Sequence, residues 1–297
     1  MRVRAPGTTG PEPCRARLVV LDFDGTLTDA DAHAPAFFAA SRAELARRLG
    51  TDEAALRPEW ERERAAVAAL QPGVAWVVDG FGVCPAAADP YMIANGASRR
   101  LLVRRHAGED EAGIIPRVLE VHHAAYRSTP PGFRTGAREL LEGLLARGCV
   151  VRVVTNSRTE PVERLLDTLG LAGRAALGVH GDARKFTVGP PAAPDPRFAA
   201  LPATVEWPEV GRPVHLERGC YFDVLRAMWD ETGLSAESTL VVGDILELDL
   251  AMPAALGANV HLALRDSTLP HEARLVRRLA RGDASHGLAA VLERLRD

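Results

Sequence analysis

Short apolar runs punctuate the chain, and each ends on small, polar or acidic residues. Leu18-Val19-Val20-Leu21 leads into Asp22-Phe23-Asp24-Gly25-Thr26, and Cys149 to Val154 leads into Thr155-Asn156-Ser157. Ala175 to Val179 precedes Gly181-Asp182, Thr239 to Val242 precedes Gly243-Asp244, and Ala258 to Leu262 closes the series. Runs of four to six aliphatic residues closed by a turn predict strands buried on both faces. Between them the period changes. Thr135 to Arg147 places Leu140, Leu141, Leu144 and Leu145 on one helix face, with Gly148 as its stop. Pro161 to Leu169 and Tyr221 to Glu231 carry the same pattern. The alternation predicts an α/β fold, a doubly wound parallel sheet with right-handed crossovers. Ligands of such sheets sit beyond the carboxyl ends of the strands. Asp22, Asp24, Thr155, Asn156 and Asp244 all fall at that edge.

Residues 31–131 interrupt the alternation with Ala-, Glu- and Arg-rich helical stretches (36–49, 54–70, 97–106 and 115–126) and no clear strand. The segment reads as a helical cap inserted after the first strand, which divides the core into 17–30 and 132–297. Residues 1–16, rich in Gly, Pro, Thr and Arg, read as a disordered tail. Residues 187–214, rich in Pro and Ala, read as a long loop or ribbon.

The 297 residues suit about two domains. A formal net charge of -3 excludes a generally basic nucleic-acid binder. No apolar run reaches the roughly 18 residues of a membrane span, and no apolar stretch follows the N-terminal arginines as a secretory signal requires. Cys14, Cys84, Cys149 and Cys220 form no CxxC pair, and they read as reduced thiols of a cytoplasmic protein. His122 and His123 lack zinc-ligand spacing. The chain has one lysine, Lys185, among 36 basic residues.

The run Leu21-Asp22-Phe23-Asp24-Gly25-Thr26-Leu27-Thr28-Asp29 resembles the first motif of the haloacid dehalogenase (HAD) superfamily of phosphohydrolases. Thr155-Asn156-Ser157 resembles its second motif, and Gly243-Asp244 with Asp249 resembles the acidic GDxxxxD of its fourth. The order matches over most of residues 17–265, whereas the cap resembles the family only in position and helical character. The resemblance implies a phosphatase, and phosphoryl transfer gives its own reasons for these residue types: a nucleophile, a metal, donors for the equatorial oxygens and an acid/base. Asp22 would form an aspartyl-phosphate. Asp24 would protonate the leaving alkoxide and then activate water. Gly25 lets the chain turn close to the phosphate, beside Thr26. Asp22, the Asp24 backbone carbonyl and Asp244 would hold Mg2+, with Asp249 supporting them or binding directly. The Thr155 hydroxyl and the Asn156 N–H would hold a phosphoryl oxygen. Each acid also has a plain structural reading: Asp22 and Asp24 as turn or capping residues, and Asp249 as a helix-start acid.

The family's third motif is a lysine, sometimes an arginine, just before the helix that leads to the fourth strand. Here no lysine stands there. Arg218 occupies about that place, and Lys185, just after the third strand, competes with it. An ammonium retained among so many guanidinium groups favours Lys185, since the two are not interchangeable. Asp24 argues against dehalogenation, which has no leaving group to protonate. The absence of any cap lysine removes phosphonoacetaldehyde-type chemistry, which needs a Schiff base. The expectation is therefore a Mg2+-dependent hydrolase of a small phosphorylated metabolite, with no nucleic-acid or membrane partner and its oligomeric state open. A phosphomutase, and a non-catalytic binding protein of the same fold, stay as alternatives. A receiver domain fits poorly, being shorter and lacking both the insert and the DGT turn. The cap would set specificity by closing over the pocket, with Trp76, Asp79, Tyr91, Asn95 and Arg99 as candidate contacts.

Overall fold

The computed structural model describes residues 14–295. Its strands, in chain order, are β1 (Leu18–Leu21), β2 (Ala75–Val78), β3 (Phe81–Pro85), β4 (Val150–Val154), β5 (Gly178–His180), β6 (Thr204–Glu206), β7 (Pro213–His215), β8 (Thr239–Gly243), β9 (Asn259–Ala263) and β10 (Gly282–Ser285). Six of them form one parallel sheet in the order β10-β9-β8-β1-β4-β5. β1 lies at its centre, with Leu21 opposite Val153 on one side and Val242 on the other.

Alternation along these strands sorts the core into two layers. Leu18, Val20, Val241, Val260 and Leu262 face the helix Gly219–Thr232, which offers Phe222, Leu225, Met228 and Trp229. Val19, Leu21, Val151, Val153 and Val242 face the opposite way, onto Leu140, Leu141 and Leu144 of the helix Ala137–Ala146. Both faces are covered, which is why the central strand β1 is apolar at every position.

The chain forms two compact units: one of residues up to 28, 77–84 and 133 onward, the other of 29–76 and 85–132. The second has its own core, built from Phe37, Leu45, Leu56, Trp60, Leu101 and Val121 on the helices Ala30–Leu49, Glu53–Ala68, Pro90–Arg105 and Glu111–Ser128. The first of these starts on Asp29, whose carboxylate accepts the Ala32 N–H and caps the helix.

Several expected elements differ from those found. The strand expected at Ala175 to Val179 is shorter: Arg174–Ala176 is a 3₁₀ turn, and only β5 pairs, at the sheet edge. The reason lies in Gly173, in the left-handed region, and in Arg174, whose guanidinium binds Asp167 and the Leu177 carbonyl. The insert read as free of strands contains the hairpin β2–β3, turning at Asp79-Gly80 with φ of 49° and 83°. An Asp-Gly pair between β-formers is a hairpin signal in its own right. β10, Gly-Asp-Ala-Ser, has no apolar pattern and is a strand only because β9 supplies its partner. The stretch 187–214 holds a short helix (Pro196–Ala199) and β6, which pairs antiparallel with β7. Of the tail read as disordered, residues 1–13 lie outside the described residues. Cys14 is buried, and its N–H donates to the Arg294 carbonyl.

Trp229 is buried, with its Nε1 2.9 Å from the Thr239 hydroxyl at the start of β8. Trp229→Ala is expected to cost about 3–5 kcal/mol, measured by urea unfolding of the variant against the parent chain.

Candidate active site

The carboxyl ends of β1, β4, β5 and β8 bring together residues from four distant parts of the chain. Asp22 leaves β1 with its N–H still bonded to the Val242 carbonyl, 2.8 Å away, which fixes its height at the sheet edge. Gly25 then turns the chain at φ 86°. A Cβ there would stand 2.3 Å from Asp244 Oδ2, so only glycine lets this turn approach the fourth motif. Beyond β8 the backbone makes one wide π turn, Leu246–Leu250, which returns Asp249 to the strand end. Asp249 Oδ2 accepts the Ile245 N–H at 3.0 Å. A Cβ on Gly243 would lie 2.3 Å from that of Asp249, so this position too requires glycine.

Asp22, Asp244 and Asp249 are buried, and one carboxylate oxygen of each lies within 4.8 Å of the others. Lys185, 1% exposed, joins two of them: Nζ donates to Asp22 Oδ1 at 2.7 Å and to Asp249 Oδ1 at 2.9 Å, over the Tyr221 ring. Burial pulls the ammonium's pKa down, but Asp22 and Asp249 outweigh it and hold it above the usual lysine range. Burial pushes the Asp22 carboxyl above the ordinary aspartate range. Lys185 opposes that shift, and Asp249 and Asp24 add to it.

Asp22 Oδ2 is buried without a hydrogen-bond donor. An orphaned carboxylate oxygen beside two more carboxylates is a hard, oxygen-only donor set, and it fits a divalent cation. The Asp24 carboxylate stands apart from this trio. Its Oδ2 accepts from Ser157 Oγ at 2.7 Å and from Thr155 Oγ1 at 3.4 Å. Thr26, also buried, places its hydroxyl 3.5 Å from Asp244 Oδ1.

The loop that presents Lys185 is strained. Asp182 and Arg184 adopt φ of 51° and 47°, a region that costs non-glycine residues energy. Backbone bonds from Asp182 to Ser157 and from Ala183 to Thr155 lace it to the second-motif loop, and Asn156 Oδ1 accepts the Lys185 N–H at 2.8 Å. Of the two cations that competed for the third motif, Lys185 therefore meets Asp22 directly. Arg218, 0% exposed, is instead surrounded by carbonyls, donating to His215, Lys185 and Val83. Its guanidinium braces the lysine loop and the β2–β3 hairpin.

Among the expected contacts in the insert, Tyr91 is buried, with its hydroxyl 2.9 Å from His33 Nδ1, and Asn95 pairs with His122. Three residues went unread in the sequence: Ser157 as a partner of Asp24, Arg265 with Nε 2.7 Å from Asp244 Oδ2, and Glu272, whose Oε1 accepts the Leu246 N–H at 2.8 Å. Arg265 follows β9 directly, so the strand-end rule that found the aspartates also points to it.

A family model described as haloacid dehalogenase-like hydrolase matches residues 16–257. No curated protein matches the chain. Among solved structures, a predicted phosphoglycolate phosphatase from Haemophilus somnus 129pt is similar at 15% identity and a TM-score of 0.53, over 94% of this chain and 97% of that one. The HAD-hydrolase YfnB from Bacillus subtilis, solved with magnesium bound, is similar at 14% identity and a TM-score of 0.51, over 95% and 100%. At these identities the likeness to solved structures is one of fold.

Burial pushes the Glu272 carboxyl up to about 8, against the pull of the Leu246 N–H and Arg265. The folded chain thus keeps this proton through a range in which the unfolded chain, near its ordinary 4.5, loses it. The stability held at low pH is lost as pH rises from there through about 8. Glu272→Gln keeps the acceptor for Leu246 and removes the titration. It is expected to match the parent chain near pH 5 and to exceed its stability near pH 9, read by urea unfolding at each pH.

Proposed function

The chain belongs to the haloacid dehalogenase-like hydrolase family, and from that premise we propose that it is a Mg2+-dependent phosphohydrolase of a small phosphate monoester. The observation that carries the reading is the pairing of a buried, cation-held Asp22 with a separate Asp24 two residues on. Lys185 fixes Asp22 Oδ1 and leaves Oδ2 without a donor. Asp22 attacks phosphorus, the ester P–O bond breaks, and an aspartyl-phosphate forms. Asp24, held outside the carboxylate trio by Ser157 and Thr155, gives its proton to the departing alkoxide. Water then attacks the same phosphorus, Asp24 takes back a proton, and Asp22 is released with inorganic phosphate.

Asp22, Asp244, Asp249 and the Asp24 backbone carbonyl would hold the ion. When bound it supplies charge neutralisation for the phosphoryl oxygens. The Thr155 hydroxyl and the Asn156 N–H would receive one of those oxygens, with Gly25 and Thr26 beside it. Lys185 stabilises negative charge on nucleophile and phosphate. Arg218 contributes by bracing the loop that carries Lys185. A residue placed like Asp24 favours ester hydrolysis over dehalogenation, because only an alkoxide leaving group needs its proton.

Phosphate release from a panel of small phosphate monoesters tests the reading. We expect Mg2+-dependent release that Asp22→Asn lowers by roughly 10³-fold or more and that Asp24→Asn lowers by about 10²–10⁴-fold. No release from any ester, or release indifferent to Asp22→Asn, overturns it.

A further inference from the structure

Each buried carboxylate of the site has a buried cation against it, and the two cations divide them unequally. Lys185 serves Asp22 and Asp249, and Arg265 stands on Asp244. Arg265 is 5% exposed, and its position is built. Its backbone N–H donates to Thr268 Oγ1 at 2.7 Å, and its Nη1 donates to Ser267 Oγ at 2.7 Å. Its Cδ lies 3.3 Å from where a Cβ on Gly25 would be, so the stem runs along the turn that carries the nucleophile. A guanidinium fixed there cannot act as a mobile surface charge.

We propose that Arg265 is a fixed counter-charge that weakens divalent-cation binding at Asp244 and strengthens oxyanion binding in the same pocket. The inference rests on the phosphohydrolase reading above. Asp22, Asp244 and Asp249 are three charges when ionised, and Lys185 and Arg265 supply two. A bound dication makes the cluster net positive, as a phosphate dianion requires. Without Arg265 the same loaded cluster is neutral. A cation beside a ligating carboxylate repels the dication and attracts the anion, so the two affinities respond in opposite directions. Such opposition sets Arg265 apart from a residue that merely orients Asp244, whose loss would weaken both ligands together.

The test is Arg265→Gln, with Arg265→Lys as the charge-keeping control. Mg2+ binding is measured by calorimetry in anion-free buffer, and orthophosphate binding by phosphorus NMR at saturating Mg2+. In Arg265→Gln the Mg2+ Kd should fall and the phosphate Kd should rise, each by about tenfold, the scale of one unit charge at close range under strong screening. Arg265→Lys should stay near the parent chain in both. If Arg265→Gln does not fold, Ser267→Ala, which removes the Oγ that Nη1 donates to and loosens the guanidinium, should show the same two signs with smaller shifts. Weakening of both ligands, or no change in either, overturns the proposal and leaves the metal reading standing. Failure of the parent chain itself to bind Mg2+ overturns both.

Discussion

The buried ammonium of Lys185 is the interaction on which the rest of the site depends. Three carboxylates converge at one sheet edge, and taking such charges out of water is costly unless they are paired. Lys185 meets two of them at once, and the surrounding chain bends to bring it there. Asp182 and Arg184 accept left-handed backbone on either side of the approach, the second-motif loop supplies backbone partners and an Asn156 acceptor, and Arg218 clamps the Lys185 carbonyl from behind. Removing a buried charge from such a network leaves its partners uncompensated, so the loop and the carboxylates stand or fall together.

The sheet makes this convergence possible. β1 is central and buried at every residue, so Asp22 starts from a rigid frame between β4 and β8. The neighbouring strands end at the same height, and their loops deliver Thr155, Lys185 and Asp244 from far along the sequence. Two glycines serve that geometry: Gly25 admits Asp244 beside the turn that follows Asp22, and Gly243 admits Asp249 as the π turn folds back. The helical unit has a separate core around Phe37, Trp60 and Tyr91, in which the Tyr91 hydroxyl meets His33 Nδ1 and Trp60 Nε1 donates to Ser98 Oγ. No helix among the described residues is long and apolar enough to cross a membrane.

Much of this was legible in the sequence because the signals are local. Apolar runs closed by Asp, Thr or Gly marked β1, β4 and β8 within a residue or two, and period 3.6 marked the flanking helices. The same locality explains the errors. β10 lacks an apolar pattern of its own and is a strand only through its neighbour, and a 3₁₀ turn replaces the start of the apolar run that leads into β5. The β2–β3 hairpin was readable from Asp79-Gly80, but a helix-rich setting hid it.

The sequence by itself determined the parallel sheet and a set of acidic and hydroxyl residues at strand ends, because spacing along the chain carries that information. It left Lys185 and Arg218 in competition, since each follows a plausible element and charge alone does not say which reaches Asp22. Tertiary structure decided it: Lys185 lies against two carboxylates and Arg218 against three carbonyls. It also placed Ser157 on Asp24 and Arg265 on Asp244. Those pairings join residues separated by 133 positions in one case and by strand-to-strand packing in the other. The physical reason is that the pairing of buried charges is a property of three-dimensional distance and desolvation, and neither is written in the order of residues along one chain.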